Sequence, residues 1–171
     1  MTRSQDETTL PKVTLCAVDL DNYVRVMRLE VAPAQTDFLS LNGSRFPNEW
    51  ALAESAYLPG FTPRAVCLAA TIVGLVVWGP YHLDYDYHVP QEPGVWILDH
   101  VMIDAGQQGK GLGAAAVLAA IPEIFAIPEC RRLVLSYANE NERAGELYAR
   151  LGFRPCGCDH EGAPMMELLR P

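Results

Sequence analysis

The chain has 171 residues, half of them hydrophobic and 20% charged, which suits one domain with a real core and excludes a disordered protein. The formal net charge of -8 lacks the basic face a nucleic-acid partner needs, and fits a cationic small molecule without requiring one. Five cysteines, an odd number, point to free thiols and a cytoplasmic setting, and no apolar run approaches the roughly 20 residues of a membrane span.

"MTRSQDETTLPK" is polar and acidic, so residues 1–12 read as a flexible tail rather than a targeting segment. The single domain then covers 13–171. Val13 to Ala17 predicts a strand. "DLDNYVRVMRLEV" predicts a helix capped by Asp19 or Asp21, with Val24, Met27, Leu29 and Val31 as a rough apolar stripe. After a loop, Asn48 to Tyr57 predicts a second, short helix that "LPGFTP" breaks. "RAVCLAA" and "IVGLVVWG" are apolar strands joined tightly at Ala70 and Thr71, as in a hairpin. "PYHLDYDYHVPQEPG" is a long polar and aromatic loop, and "VWILDHVMID" is a further strand.

The glycine-rich turn "DAGQQGKGLG" feeds a helix that meets Pro122, where a kink or stop is expected. Arg132 to Tyr137 is a strand. "NENERAGELYARLGF" is a helix with Asn139 or Asn141 as cap and Gly152 just past its end. Arg154 to Cys158 and Met165 to Leu169 complete the chain as two short strands. The order β-α-α-β-β-β-α-β-α-β-β gives an α/β fold, with a mixed sheet flanked by helices. Cys156-x-Cys158 has neither zinc nor redox spacing, so no metal is expected.

Gly109-x-Gly111-x-x-Ala114 formally matches a dinucleotide fingerprint, but it follows a late strand and too little chain remains for further βα units. A phosphate-loop NTPase fails in register, with Asp at 104 and Gly at 111. Two readings stay open from the glycines alone. One is an anion cradle of backbone N–H groups and a helix N-terminus, with Lys110 at the rim. The other is a tight turn with no ligand.

Two blocks decide between them. Gln108-x-x-Gly111-x-Gly113 after a strand resembles the acetyl-CoA pyrophosphate loop of the GNAT superfamily of N-acetyltransferases. Asn141, Ala144, Tyr148, Gly152 and Phe153 fall at the spacing of that superfamily's second block. The resemblance implies a GNAT fold and an enzyme that binds acetyl-CoA through Val101, Met102, Ile103, Gln108, Gly109, Lys110, Gly111, Leu112, Gly113, Asn141 and Tyr148. It assigns the general-acid role to Tyr148, whose bland alternative is a core aromatic. It also implies a strand splayed beside the cofactor, and it admits a homodimer for which the sequence carries no interface signal. The base is open. His100 suits by its ordinary pKa, Asp99 alternates with it on the strand so that one of the two faces the cleft, and Glu30 ends the first helix where acidic groups line the acceptor site of similar enzymes.

A narrower similarity, from Val13 to about Phe153, is to bacterial diamine and polyamine N-acetyltransferases of the spermine/spermidine type. It implies a linear cationic amine as acceptor. Carboxylates and rings interleaved from Tyr81 to His88 suit such an amine through ion pairing and cation–π contacts. A solvated loop is the plainer reading.

Overall fold

The computed structural model describes residues 10–39, 47–82 and 92–171. Seven strands form one sheet: β1 (Thr14–Ala17), β2 (Thr62–Leu68), β3 (Thr71–Pro80), β4 (Val95–Ile103), β5 (Arg132–Ser136), β6 (Arg154–Cys158) and β7 (Pro164–Leu169). Their spatial order is β1-β2-β3-β4-β5-β7-β6. All pairs are antiparallel except β4 with β5. That parallel step is bridged by a crossover helix, as parallel strands require. The helices are α1 (Tyr23–Met27), α2 (Thr36–Leu39), α3 (Pro47–Tyr57), α4 (Leu112–Phe125) and α5 (Glu142–Arg150).

The continuous apolar runs of β2 and β3 are explained by cover on both faces. One face carries Val66, Val73, Val76 and Trp78 against Leu112, Ala116, Val117, Ala120 and Ile124 of α4. The other carries Ala65, Leu75 and Val77 with Val26 of α1 and Ala51 of α3. Cys16 and Cys67 meet on this second face, Sγ to Sγ 2.7 Å, and all five cysteines are free thiols. A smaller cluster of Val95, Ile97, Val134 and Met165 joins the two halves of the sheet.

Four local expectations are corrected. The first helix is only five residues long and its cap is Asn22. Asp19 instead builds the turn before it, accepting from the Asp21 amide at 2.9 Å; Val26 is the helix's fully buried residue, Leu29 and Val31 of the expected stripe pack against the same cluster, and Val24 is exposed. A 3-10 turn at Pro33–Gln35 and α2 add structure where a loop was expected. The β2–β3 turn is Ala69–Ala70, one residue early, with Ala69 at φ 52. Helix α4 runs through Pro122 to Phe125. Proline removes the bond to the Leu118 carbonyl four residues back, but Leu118 and Pro122 lie on the exposed side of the helix, away from the core.

Candidate active site

Strand β4 controls the site. Its parallel pairing with β5 covers only Val95↔Arg132, Trp96↔Leu133 and Ile97↔Val134. Beyond Ile97 the two strands part, and the β5-side edge of β4 is open from Leu98 to Ile103. On its other edge, β4 pairs with β3 as Val77↔His100 and then Trp78↔Leu98, so Asp99 is the extra residue of a β-bulge. The bulge reverses the alternation of side chains. Trp96 and Leu98 pack on the α4 face before it, and Val101 and Ile103 pack on that same face after it. His100 and Met102 are thereby turned to the α3 face.

The gap between β4 and β5 opens into a cleft of about 1190 Å³. Its floor is Leu98, Asp99, Val101, Met102 and Ile103. One end is the glycine turn, with Gln108, Gly109, Gly111, Leu112 and Gly113. The opposite wall is β5 and α5, with Tyr137, Asn141, Ala144, Leu147, Tyr148 and Leu151. Of the expected site residues, Asp99, Val101, Met102, Ile103, Gln108, Gly109, Gly111, Leu112, Gly113, Asn141 and Tyr148 line this cleft. Lys110 does not. Its ammonium folds back onto the Gly106 carbonyl at 3.1 Å and the Gln107 Oε1 at 2.9 Å. Glu30 does not line the cleft either. Its backbone docks on the end of β4, where its carbonyl accepts from the Ala105 amide at 2.7 Å.

The turn suits an anion. Gly109 and Gly111 take φ +76 and +77, a backbone that favours glycine, and a side chain built on Gly109 would meet nothing within 4 Å. Gly111 is the N-cap of α4, so the first amides of that helix lack intrahelical acceptors and face the cleft end. The Gln108 side chain donates through Nε2 to the Ile103 carbonyl at 2.8 Å and ties the turn to β4. The Asn141 side chain caps α5, accepting from the Ala144 amide at 3.2 Å. An elongated acyl thioester with a pyrophosphate fits this set: fixed amides at one end, an open strand edge along its length, and an apolar wall opposite.

The titrating groups differ sharply. Burial and the charge of Glu54 push the Asp99 carboxyl up from 3.8 to about 7. Burial pushes the Tyr148 hydroxyl up to about 12, so it keeps its proton at neutral pH. Its ring is packed between Tyr137 and Phe153, at centroid distances of 6.2 and 5.8 Å. His100 is buried, its pKa is lowered to about 4, and its Nε2 lies 3.2 Å from Asn48 Oδ1. His100, one of the three candidates for the base, does not line the cleft: the bulge turns it to the α3 face, where burial makes its ring a weak proton acceptor.

The cleft also contains residues that sequence reading missed: Leu10, Val31, Phe38, Arg143 and Arg150. Arg143 and Arg150 were legible as a seven-residue repeat of cations on one helix face. Leu10 was not, because it lies in the segment read as tail; its Cδ2 would stand 3.0 Å from a side chain placed on Gly111. Tyr81 and His82 are described, but the rest of the Tyr81–His88 loop lies outside the described residues.

The chain belongs to the acetyltransferase (GNAT) family, whose model matches residues 26–153, and is an acetyl-CoA-dependent acetyltransferase. It is 28% identical over 156 residues to a spermine/spermidine N(1)-acetyltransferase of Bacillus subtilis (strain 168), covering 90% of this chain and 96% of the relative. Among solved structures, AAC(6')-Ib in complex with ribostamycin and coenzyme A superposes with a TM-score of 0.77 at 23% identity, over 93% of this chain and 94% of that one. Spermidine N-acetyltransferase from Vibrio cholerae, in complex with CoA and spermine, superposes at 0.69 with 19% identity, over 92% and 95%.

Proposed function

We propose that this enzyme moves an acetyl group from acetyl-CoA to a primary amine of a linear di- or polyamine such as spermidine or spermine. The observation that carries the chemistry is the single cleft in which a proton-accepting carboxylate, Asp99, and a proton-donating phenol, Tyr148, share walls with the glycine turn. Acetyl-CoA supplies an activated acetyl thioester. The amides of Leu112, Gly113 and Ala114, with those of Gly109 and Gly111, are the groups that would hold its pyrophosphate. The open edge of β4 between Leu98 and Ile103 offers backbone donors to the thioester carbonyl, where negative charge develops.

The acceptor arrives as an ammonium ion and must lose a proton to attack. Asp99 takes that proton, directly or through one water, because its carboxyl titrates near neutrality. Tyr148 donates toward the departing sulfur. Glu30 and Lys110 have no direct part in this reading. The acidic balance of -8 favours a polycation, and the name of the Bacillus relative, similar over nearly the whole chain, supports a polyamine. The second reading is an aminoglycoside amine, favoured by the superposition on AAC(6')-Ib with ribostamycin.

Tyr148→Phe tests the acid. Its kcat should fall on the order of 10²-fold, while acetyl-CoA affinity by calorimetry stays within about twofold. Loss of both together, or of neither, removes Tyr148 from the role.

A further inference from the structure

Asn48 is buried to 2% exposure on α3, and both ends of its side-chain amide are engaged. Its Nδ2 donates to the Leu29 carbonyl at 2.8 Å and the Val26 carbonyl at 3.4 Å, the last groups of the α1 region. With Nδ2 committed as donor, Oδ1 must accept, so His100 Nε2 carries the proton across the 3.2 Å contact. One side chain therefore ties three things together: α3, the α1 segment that leads into Val31 of the cleft, and the residue that follows the β4 bulge. A second tie lies just past the end of β4, where Asp104 Oδ2 accepts from the Glu30 amide at 3.4 Å.

The bulge is the part that needs holding. A one-residue slip of β4 would carry every later side chain to the opposite face. His100 would then swing toward the cleft and Asp99 away from its present place. Apolar side chains alone oppose this weakly, since Val101, Met102 and Ile103 are all apolar and exchange faces at modest cost. A hydrogen bond from His100 to a buried, fully engaged amide makes the slip expensive, because it strands a donor and an acceptor in the core.

We propose that Asn48 and His100 are a positioning pair for the transferase: their hydrogen bond locks the bulge in the register that presents Asp99 to the cleft. The inference rests on the reading of Asp99 as proton acceptor. Asp99 is influenced by Glu54 of α3, and it shares the cleft with Tyr148, Arg143, Glu146 and Arg150 of α5.

His100→Gln keeps a donor at the position of Nε2. His100→Asn is one methylene shorter and withdraws its amide from Asn48, and His100→Leu removes the donor. With spermidine and acetyl-CoA, the Gln enzyme should keep kcat within about threefold, and the Asn and Leu enzymes should lose roughly 10²-fold, as a displacement of about 1 Å at the reacting groups costs. The KM for acetyl-CoA should stay unchanged in all three. The rising limb of kcat against pH, centred near 7 in the parent, should stay in the Gln enzyme and move to lower pH in the others as Asp99 becomes hydrated. Folded Asn and Leu enzymes with parental kcat and parental limb would overturn the proposal, as would Gln behaving like Leu. Failure of both Asn and Leu to give soluble protein would assign the pair to stability alone, which also overturns it. Asp99→Asn separates the two levels: if it retains parental kcat, the base assignment itself is wrong, whatever the His100 series shows.

Discussion

Asp99 and His100 are sequence neighbours with opposite titrations, and their effects on stability oppose one another. Asp99 has a folded pKa raised from 3.8 to about 7. The folded state then binds more protons than the unfolded one between those values, so this residue costs stability as pH rises through that window. His100 has a folded pKa lowered from 6.5 to about 4. Its folded state binds fewer protons there, so its contribution is present above 6.5 and lost as pH falls toward 4. The two slopes offset between about pH 4 and 6.5. Asp99→Asn should therefore raise Tm at pH 8, by roughly 2–4 °C for each kcal/mol relieved, with a gain that shrinks steadily as pH falls through 7 and vanishes below pH 4. A scan of Tm against pH for the parent and Asp99→Asn reads this. Equal Tm at pH 8 would contradict the buried-carboxylate account. At this scale the sequence named both residues as candidates but assumed strict alternation, which leaves the choice of face open. Nothing local in "LDHVM" announces a bulge; it is set by pairing with β3 and by Asn48, some fifty residues away.

At the level of elements, the glycine turn and the capped helix after β5 were the most legible parts. Their determinants are local: Gly111 must take a left-handed backbone, and Asn141 must cap three residues ahead. Other elements were less legible because distant contacts decide them. Pro122 was expected to kink or stop α4; it does not stop it, and the helix runs on to Phe125 with Leu118 and Pro122 on its exposed side. Leu10 was expected in a free tail, yet it lies against Gly111. Gly111→Ala tests the turn with both effects in play. A left-handed alanine costs about 1–2 kcal/mol, and the new methyl presses on Leu10. The KM for acetyl-CoA should rise about tenfold or more, while the kcat at saturating cofactor stays within about threefold. An unchanged KM would mean that the turn is only a connection between β4 and α4.

For the whole molecule, the sheet is two antiparallel halves joined by a three-residue parallel step, and that short step is what leaves the cleft open. The fold class was legible because the order of strand and helix patterns alone implies a mixed sheet with helices on its faces. The acceptor was not legible to the same degree. A pyrophosphate is read by backbone amides at fixed spacing, whereas an amine is read by scattered side chains that keep no fixed spacing in the sequence. The net charge of -8 suits a cationic amine of either kind, because polyamines and aminoglycosides are both polycations. The most direct measurement is the acetyl-CoA-dependent rate, followed by CoA release and product mass, with spermidine, spermine, ribostamycin and kanamycin offered separately to the parent enzyme at neutral pH. The account predicts mono-acetylated spermidine and spermine, formed with the highest kcat/KM of the set. Turnover of the aminoglycosides with none of either polyamine would contradict it.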